Sequence, residues 1–180
     1  TDNATIGLGH RRLSIIDLTA GGSQPKTFGS LHITFNGEIY NYAEIKKELE
    51  QKGHQFDSHS DTEVILHAYK EWGSKALQKF IGMFALAIYD EAEQKLFACR
   101  DRAGVKPFFY YYKDGLFLFA SELKALVQHP SFEKQINNDA VGAFLQFGYV
   151  PTPHCIFNNA YKLKPGHFLN FNKCYYSAII

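Results

Sequence analysis

Residues 83–120 read MFALAIYDEAEQKLFACRDRAGVKPFFYYYKDGLFLFA, and the fold class turns on them. Residues 83–89 are continuously apolar between Gly82 and Asp90, which predicts a strand buried on both faces. Residues 95–100, 107–112 and 116–120 are three more short runs of strand composition. Residues 90–94 and 113–115 read as the hairpin turns that join neighbouring runs.

Working outward, Leu31, Ile33 and Phe35 alternate with His32, Thr34 and Asn36, the period of a half-buried strand, with Gly37 as its expected break. Asn41 to Glu44 has capping-box form, and a short helix carrying Ile45 and Leu49 is expected to run to Gly53. Ser60-Asp61-Thr62-Glu63 is a second capping box. Behind it Ile65, Ala68, Tyr69 and Trp72 keep helical spacing, and Gly73 stands where a C-terminal cap belongs. Residues 121–128 and 138–147 read as helices, the second with Asn138 as N-cap and Gly148 as stop. The rest, with Pro151, Pro153 and Pro165, reads as an irregular connection ending in a short strand near Phe168. Upstream, Ile6 to His10 reads like a strand. Strands in antiparallel-looking pairs with helices between some of them imply an α+β layered fold, and a regular βαβ alternation fits poorly.

The length of 180 residues suits one domain with a real core. Nineteen Lys and Arg against 18 Asp and Glu give a net charge of +1 with no long block of either sign, so no nucleic-acid or membrane footprint is expected. The aromatic share of 16% falls mostly in the strand-like runs, which points to an aromatic core. Cys99, Cys155 and Cys174 are odd in number and lack CxxC spacing. That speaks against a disulfide framework or zinc knuckle and for a reducing, cytoplasmic compartment. The histidines show no HxH or HExxH spacing, so no metal site is expected, and His54 and His59 read as surface residues. The sequence opens on Thr1, not Met, and a start in mid-protein is the expectation.

Four stretches hold polar groups that a core does not need: residues 10–17 (HRRLSIID), Asn36-Gly37-Glu38, Asp61, and residues 100–107 (RDRAGVKP). Each has a plainer account. An Arg beside an apolar strand more often pairs with a surface carboxylate. Asn-Gly is often a tight turn, an Asp in a first helical turn is favoured by the helix dipole, and the 100–107 loop reads better as a structural ion-pair knot. Together they offer a guanidinium, two carboxylates and an Asn-Gly donor pair, which is a receptor for a free α-amino acid beside an oxyanion site. An Arg fork matches a carboxylate, carboxylates neutralise an α-ammonium, and an Asn amide with a Gly N–H can donate to a developing O⁻. Such donors are worth roughly 3–4 kcal/mol each.

The stretches LGHRRLSIIDL, FNGEIYNY, SDTEVIL, GMFALAIYD, RDRAGVKPFFYY and SELKAL occur in the order of the glutaminase domain of glutamine-dependent asparagine synthetases, a class II amidotransferase. FGYVPTPHCIF followed by KLKPGH resembles the segment that leads on to their synthetase domain. The resemblance implies an N-terminal-nucleophile hydrolase fold, a four-layer αββα sandwich with antiparallel sheets, here with its N-terminal strands missing. It implies that Arg12 holds the glutamine α-carboxylate with Leu13, Ser14, Ile15 and Ile16 lining the pocket. Asn36 through its side chain and Gly37 through its N–H would form the oxyanion hole, and Glu38 and Asp61 would receive the α-ammonium. It divides the chain into a glutaminase core at 1–136 and, at 137–180, the domain's last part with a connection toward a synthetase domain.

The family's nucleophile is an N-terminal Cys whose α-amine serves as base. No residue here matches it: Cys99, Cys155 and Cys174 lie elsewhere, and Thr1 lacks a nucleophile strand behind it. The chain alone is therefore expected to bind glutamine weakly and not to hydrolyse it. No cofactor is expected in the chain itself, while ATP and Mg²⁺ would belong to the synthetase domain, the partner expected in the same polypeptide. A missing strand would expose a sheet edge, so self-association, a homodimer included, is a further expectation. Two other readings stay open: an amidotransferase of the same type with another acceptor, and a non-catalytic glutamine-binding or scaffold module.

Overall fold

The computed structural model describes residues 6–11 and 23–172, with the backbone of 175 and 176. Its elements are β1 (Lys26–Phe28), β2 (Leu31–Ile39), α1 (Tyr42–Gln51), α2 (Asp61–Trp72), a 3₁₀ helix (Gly73–Gln78), β3 (Gly82–Asp90), β4 (Lys95–Arg100), β5 (Phe109–Lys113), β6 (Leu116–Ala120), α3 (Leu123–Leu126), α4 (Asn138–Phe147), β7 (Ala160–Lys162), β8 (Phe168–Asn172) and β9 (Tyr175–Tyr176). One sheet has the order β1-β2-β3-β4-β8 and the other β7-β5-β6-β9. All neighbours are antiparallel except β6 and β9, which run parallel.

The layering follows from strand alternation. In β3, Phe84, Leu86 and Ile88 pack with Ile45 and Leu49 of α1 and Val64, Ile65 and Ala68 of α2. The intervening Ala85, Ala87 and Tyr89 turn the other way and meet Phe108, Phe117 and Phe119 of the second sheet. Leu118 and Ala120 of β6 face outward again, against Leu126 of α3 and Phe132. The result is helix, sheet, sheet, helix. A fully apolar β3 is what a strand with protein on both sides requires, and each large side chain so buried contributes about 1.5–3 kcal/mol.

Several local expectations are corrected. Gly37 does not end β2, which continues to Ile39. Asn41 does not cap α1: its Nδ2 donates to Lys79 C=O at 2.9 Å and its Oδ1 accepts from Ile81 N–H at 2.9 Å, tying α1 to the approach of β3. Ser60 does cap α2, accepting from Thr62 N–H at 3.2 Å. Glu63 does not complete a box with it and instead accepts from the Asp57 and Ser58 N–H groups. The helix expected at 121–128 shrinks to α3. The N-cap of α4 is Asn137 rather than Asn138, its Oδ1 accepting from Ala140 N–H at 3.1 Å. Residues 6–10 form no strand among the described residues, although Ile6 and Leu8 pack against the inter-sheet core. The short strands β1 and β7 carry too little pattern to be seen in sequence.

Candidate active site

Asn36, Gly37 and Glu38 sit in the second half of β2, where β1 no longer covers the edge, since β1 pairs only as far as Ile33. Cross-strand partners share a face, so Asn36 opposite Ala85 and Thr34 opposite Ala87 point between the two sheets. The small alanines leave room there. Thr34 is fully buried and its hydroxyl lies 3.4 Å from His10 Nδ1, which brings residues 9 and 10 against this end of the strand. Asn36 Nδ2 donates to Ser121 Oγ, just past β6 in the other sheet, at 3.1 Å.

The backbone of β2 supplies the second donor. Phe35 N–H donates to Gln24 Oε1 at 2.6 Å, and its C=O accepts from Gln24 Nε2 at 3.0 Å. Ile39 N–H donates to Asp61 Oδ2 at 3.1 Å. Both groups lie on the open edge. Gly37 falls between them in the same row, opposite Phe84, whose own N–H and C=O are taken by Asp101. Gly37 and Phe84 are thus a non-hydrogen-bonded pair of the ladder, and the Gly37 N–H has no acceptor among the described residues outside that ladder. Its φ of 151° and close approach demand glycine: a Cβ would lie 2.1 Å from Met83 O and 2.7 Å from Phe84 Cα. Gly82, opposite Ile39, is as tight, its Cβ position 2.1 Å from Glu38 O.

Asp61 opens α2 and is buried. Burial raises its carboxyl above the ordinary value against the pull of the Ile39 and Thr62 N–H groups, and the negative charge of Glu38 raises it further. A buried carboxylate whose proton affinity is raised by a neighbouring negative charge marks a site short of a cation. Glu63, one turn edge away, is in the opposite state. Burial would raise it, but the Ser58 hydroxyl, the Asp57 N–H and Lys26 together hold it below its ordinary value.

The polar stretch at 100–107 proves structural, yet not an ion-pair knot. Arg100 donates to three carbonyls, Lys106 O at 2.6 Å, Leu163 O at 2.7 Å and Gly104 O at 2.6 Å. Asp101, with 1% of its surface exposed, accepts from Val105, Lys106 and Phe84 N–H groups. Each charge serves backbone rather than the other. His54 also departs from expectation: it is half-buried with Nδ1 2.9 Å from Nδ1 of the buried His67. Arg12, Leu13, Ser14, Ile15 and Ile16, with Thr1 and Cys174, lie outside the described residues.

The structure thus gathers Asn36, Gly37, Glu38 and Asp61 at one open end of β2. A family model described as a glutamine amidotransferase domain matches residues 1–177. The chain belongs to the glutamine amidotransferase domain family. It is 41% identical over 170 residues to asparagine synthetase [glutamine-hydrolyzing] 3 of Bacillus subtilis, covering 92% of this chain and 28% of that protein. It is 37% identical over 188 residues to putative asparagine synthetase [glutamine-hydrolyzing] 2 of Methanocaldococcus jannaschii, covering 94% of this chain and 36% of that protein. This amidotransferase domain therefore spans about a third or less of these relatives. Among solved structures, the allosteric regulatory enzyme of purine biosynthesis matches with a TM-score of 0.55 at 24% identity, over 84% of this chain and 30% of that one, a likeness of fold. The αββα layering of this amidotransferase domain is the fold that the likeness concerns.

Two contributors to the site escaped the sequence. Gln24 precedes a proline in a polar run, where nothing predicts that its amide substitutes for a strand partner on Phe35. Ser121 reads as the start of a helix. Only the fold places it opposite Asn36.

Proposed function

We propose that this chain is the glutaminase domain of an asparagine synthetase-like enzyme, hydrolysing glutamine to glutamate and ammonia for amidation of aspartate. The observation that carries the proposal is the row of β2 N–H groups, with Phe35 and Ile39 occupied and Gly37 between them, beside the Asn36 amide, open among the described residues. Arg12 would pair with the α-carboxylate of glutamine, and Glu38 and Asp61 with its α-ammonium. A thiolate adds to the side-chain amide carbon, and the carbonyl oxygen becomes an oxyanion that Asn36 Nδ2 and Gly37 N–H stabilise. The C–N bond then breaks, the nitrogen leaves as ammonia with the proton passed through the base, and water hydrolyses the thioester to glutamate.

Neither Cys99 nor Cys155 suits the thiolate role, because burial raises both thiols. The nucleophile is assigned to the family's N-terminal Cys. Among the described residues no group of three His, Cys, Asp or Glu side chains is placed to hold a metal ion. ATP and Mg²⁺ are assigned to a further, synthetase domain of the longer protein, and no step here passes through them. Residues 137–180 would complete the glutaminase domain and lead toward that domain. The cytoplasm is the compartment proposed, in keeping with the free thiols.

The test uses the intact gene product. Glutamate release that drives aspartate-dependent AMP release supports the full proposal, and Arg12→Ala should then sharply raise KM for glutamine. Glutamate release without aspartate dependence would move the domain to another acceptor. Glutamine binding by calorimetry without turnover would make it a non-catalytic module.

A further inference from the structure

We propose that Ser121 is a positioning residue for the oxyanion site, holding the Asn36 side-chain amide so that its second N–H faces the reacting carbonyl oxygen. The inference rests on the glutaminase reading above. Asn36 belongs to β2 in one sheet and Ser121 follows β6 in the other, so the 3.1 Å bond from Nδ2 to Oγ crosses the sandwich. The pair is separated by 85 residues, and neither strand alone places either partner.

The terminal torsion of an Asn side chain is broad and roughly two-fold. In one state it presents two N–H donors, in the other a carbonyl oxygen. Only the first stabilises an oxyanion, since the second sets a partial negative charge against it. Among the described residues, Ser121 is the one side chain hydrogen-bonded to the Asn36 amide. The cross-strand partner of Asn36 is Ala85, too short to bond or wedge the amide. The structure holds the first state: Ser121 Oγ accepts one of the two Nδ2 hydrogens, which orients the amide plane and leaves the other hydrogen for a substrate oxygen. The arrangement costs no reorganisation when charge develops, the condition under which a donor acts most strongly. Because Ser121 touches Asn36 and not the reacting atoms in this scheme, it acts through the amide alone.

That distinction sets the test. In the intact gene product, Ser121→Ala should lower kcat for glutamine hydrolysis about tenfold, a part of the loss expected from removing an oxyanion donor outright. KM for glutamine should stay within about twofold, since the α-carboxylate and α-ammonium contacts are untouched. Ser121→Thr keeps the hydroxyl and should restore most of kcat. The decisive comparison is the cycle with Asn36→Ala: adding Ser121→Ala to that variant should cost nothing further. Full kcat in Ser121→Ala, or an equal loss in both backgrounds, would overturn the role, the latter pointing to a plain structural effect. Wild-type protein that releases no glutamate would refute the glutaminase reading itself and this inference with it. An active wild type beside an unaffected Ser121→Ala refutes only this one.

Discussion

Asp61 Oδ2 accepts the backbone N–H of Ile39 at 3.1 Å, two residues beyond Gly37 on the same strand edge. One carboxylate therefore ends the row of β2 N–H groups and, under the proposed glutaminase reading, would join Glu38 in offering negative charge to the substrate ammonium. Asp61→Asn separates these duties, because an amide oxygen can still accept from Ile39 while the charge is gone. KM for glutamine should rise on the order of tenfold or more, as for truncating a buried charge pair, with the melting temperature not lowered.

The pH dependence of Asp61 has a definite sign. Its folded carboxyl titrates above the ordinary value, first through burial, so the folded state binds more protons than the unfolded one. Its contribution to stability is present below about pH 3.9 and is lost as pH rises through the folded value. Asp61→Asn should therefore gain on the wild type in denaturant midpoint as pH rises across that window. A difference that does not change with pH would mean that Asp61 is not raised.

Gly37→Ala should be among the most damaging single substitutions outside the deep core. The new methyl would meet Met83 O and Phe84 Cα, both backbone, so β2 and β3 must separate for it to fit. A loss of about 2–4 kcal/mol is expected from the strained φ and the displaced ladder, measured as a fall in denaturant midpoint. A variant as stable as wild type would show that the strand takes a more ordinary conformation at this position.

Arg100 and Asp101 give the opposite signature to the site residues. Arg100→Lys cannot reach three carbonyls from one ammonium, and Asp101→Ala leaves three buried N–H groups without an acceptor. Each should destabilise the fold by about 3 kcal/mol or more while KM for glutamine holds in whatever protein stays folded. Burial raises the Asp101 carboxyl, but the Lys106, Val105 and Phe84 N–H groups outweigh it and hold the carboxyl below its ordinary value. Its stabilising contribution is thus present above about pH 3.9 and is lost as pH falls through the lower folded value. Acid unfolding of wild type and Asp101→Asn should converge at the low end of that range.

How much of this the sequence disclosed depends on the range of the interaction. The strand from 83 to 89 is legible because burial on two faces needs an unbroken apolar run, and α2 is legible from Ile65, Ala68, Tyr69 and Trp72. Asn36, Gly37, Glu38 and Asp61 stand out as polar groups in places where a core has no use for them. Gly37 misleads as a strand break, since its freedom is spent on a close approach to Met83 rather than on a turn. Gln24 and Ser121 carry no local mark. Their roles exist only once β2 has an open edge and β6 lies across from it, relations between residues far apart in the chain.

The two described thiols offer a last prediction. Cys99 and Cys155 are each 2% exposed or less. Burial and the neighbouring Asp101 charge push the Cys99 thiol well up, and burial raises Cys155 to about 11. At pH 8 a thiol of that kind is ionised in only about one molecule in a thousand, and the thiolate is the reactive form. Iodoacetamide treatment of the folded protein at pH 8 should leave both unmodified in a peptide map, and unfolding in denaturant should expose both. In the intact gene product, Cys99→Ala and Cys155→Ala should each keep kcat for glutamine hydrolysis, at some cost in melting temperature from the cavity left behind. A variant of either cysteine that loses kcat while keeping its melting temperature would place the nucleophile inside these residues and overturn its assignment to an N-terminal Cys.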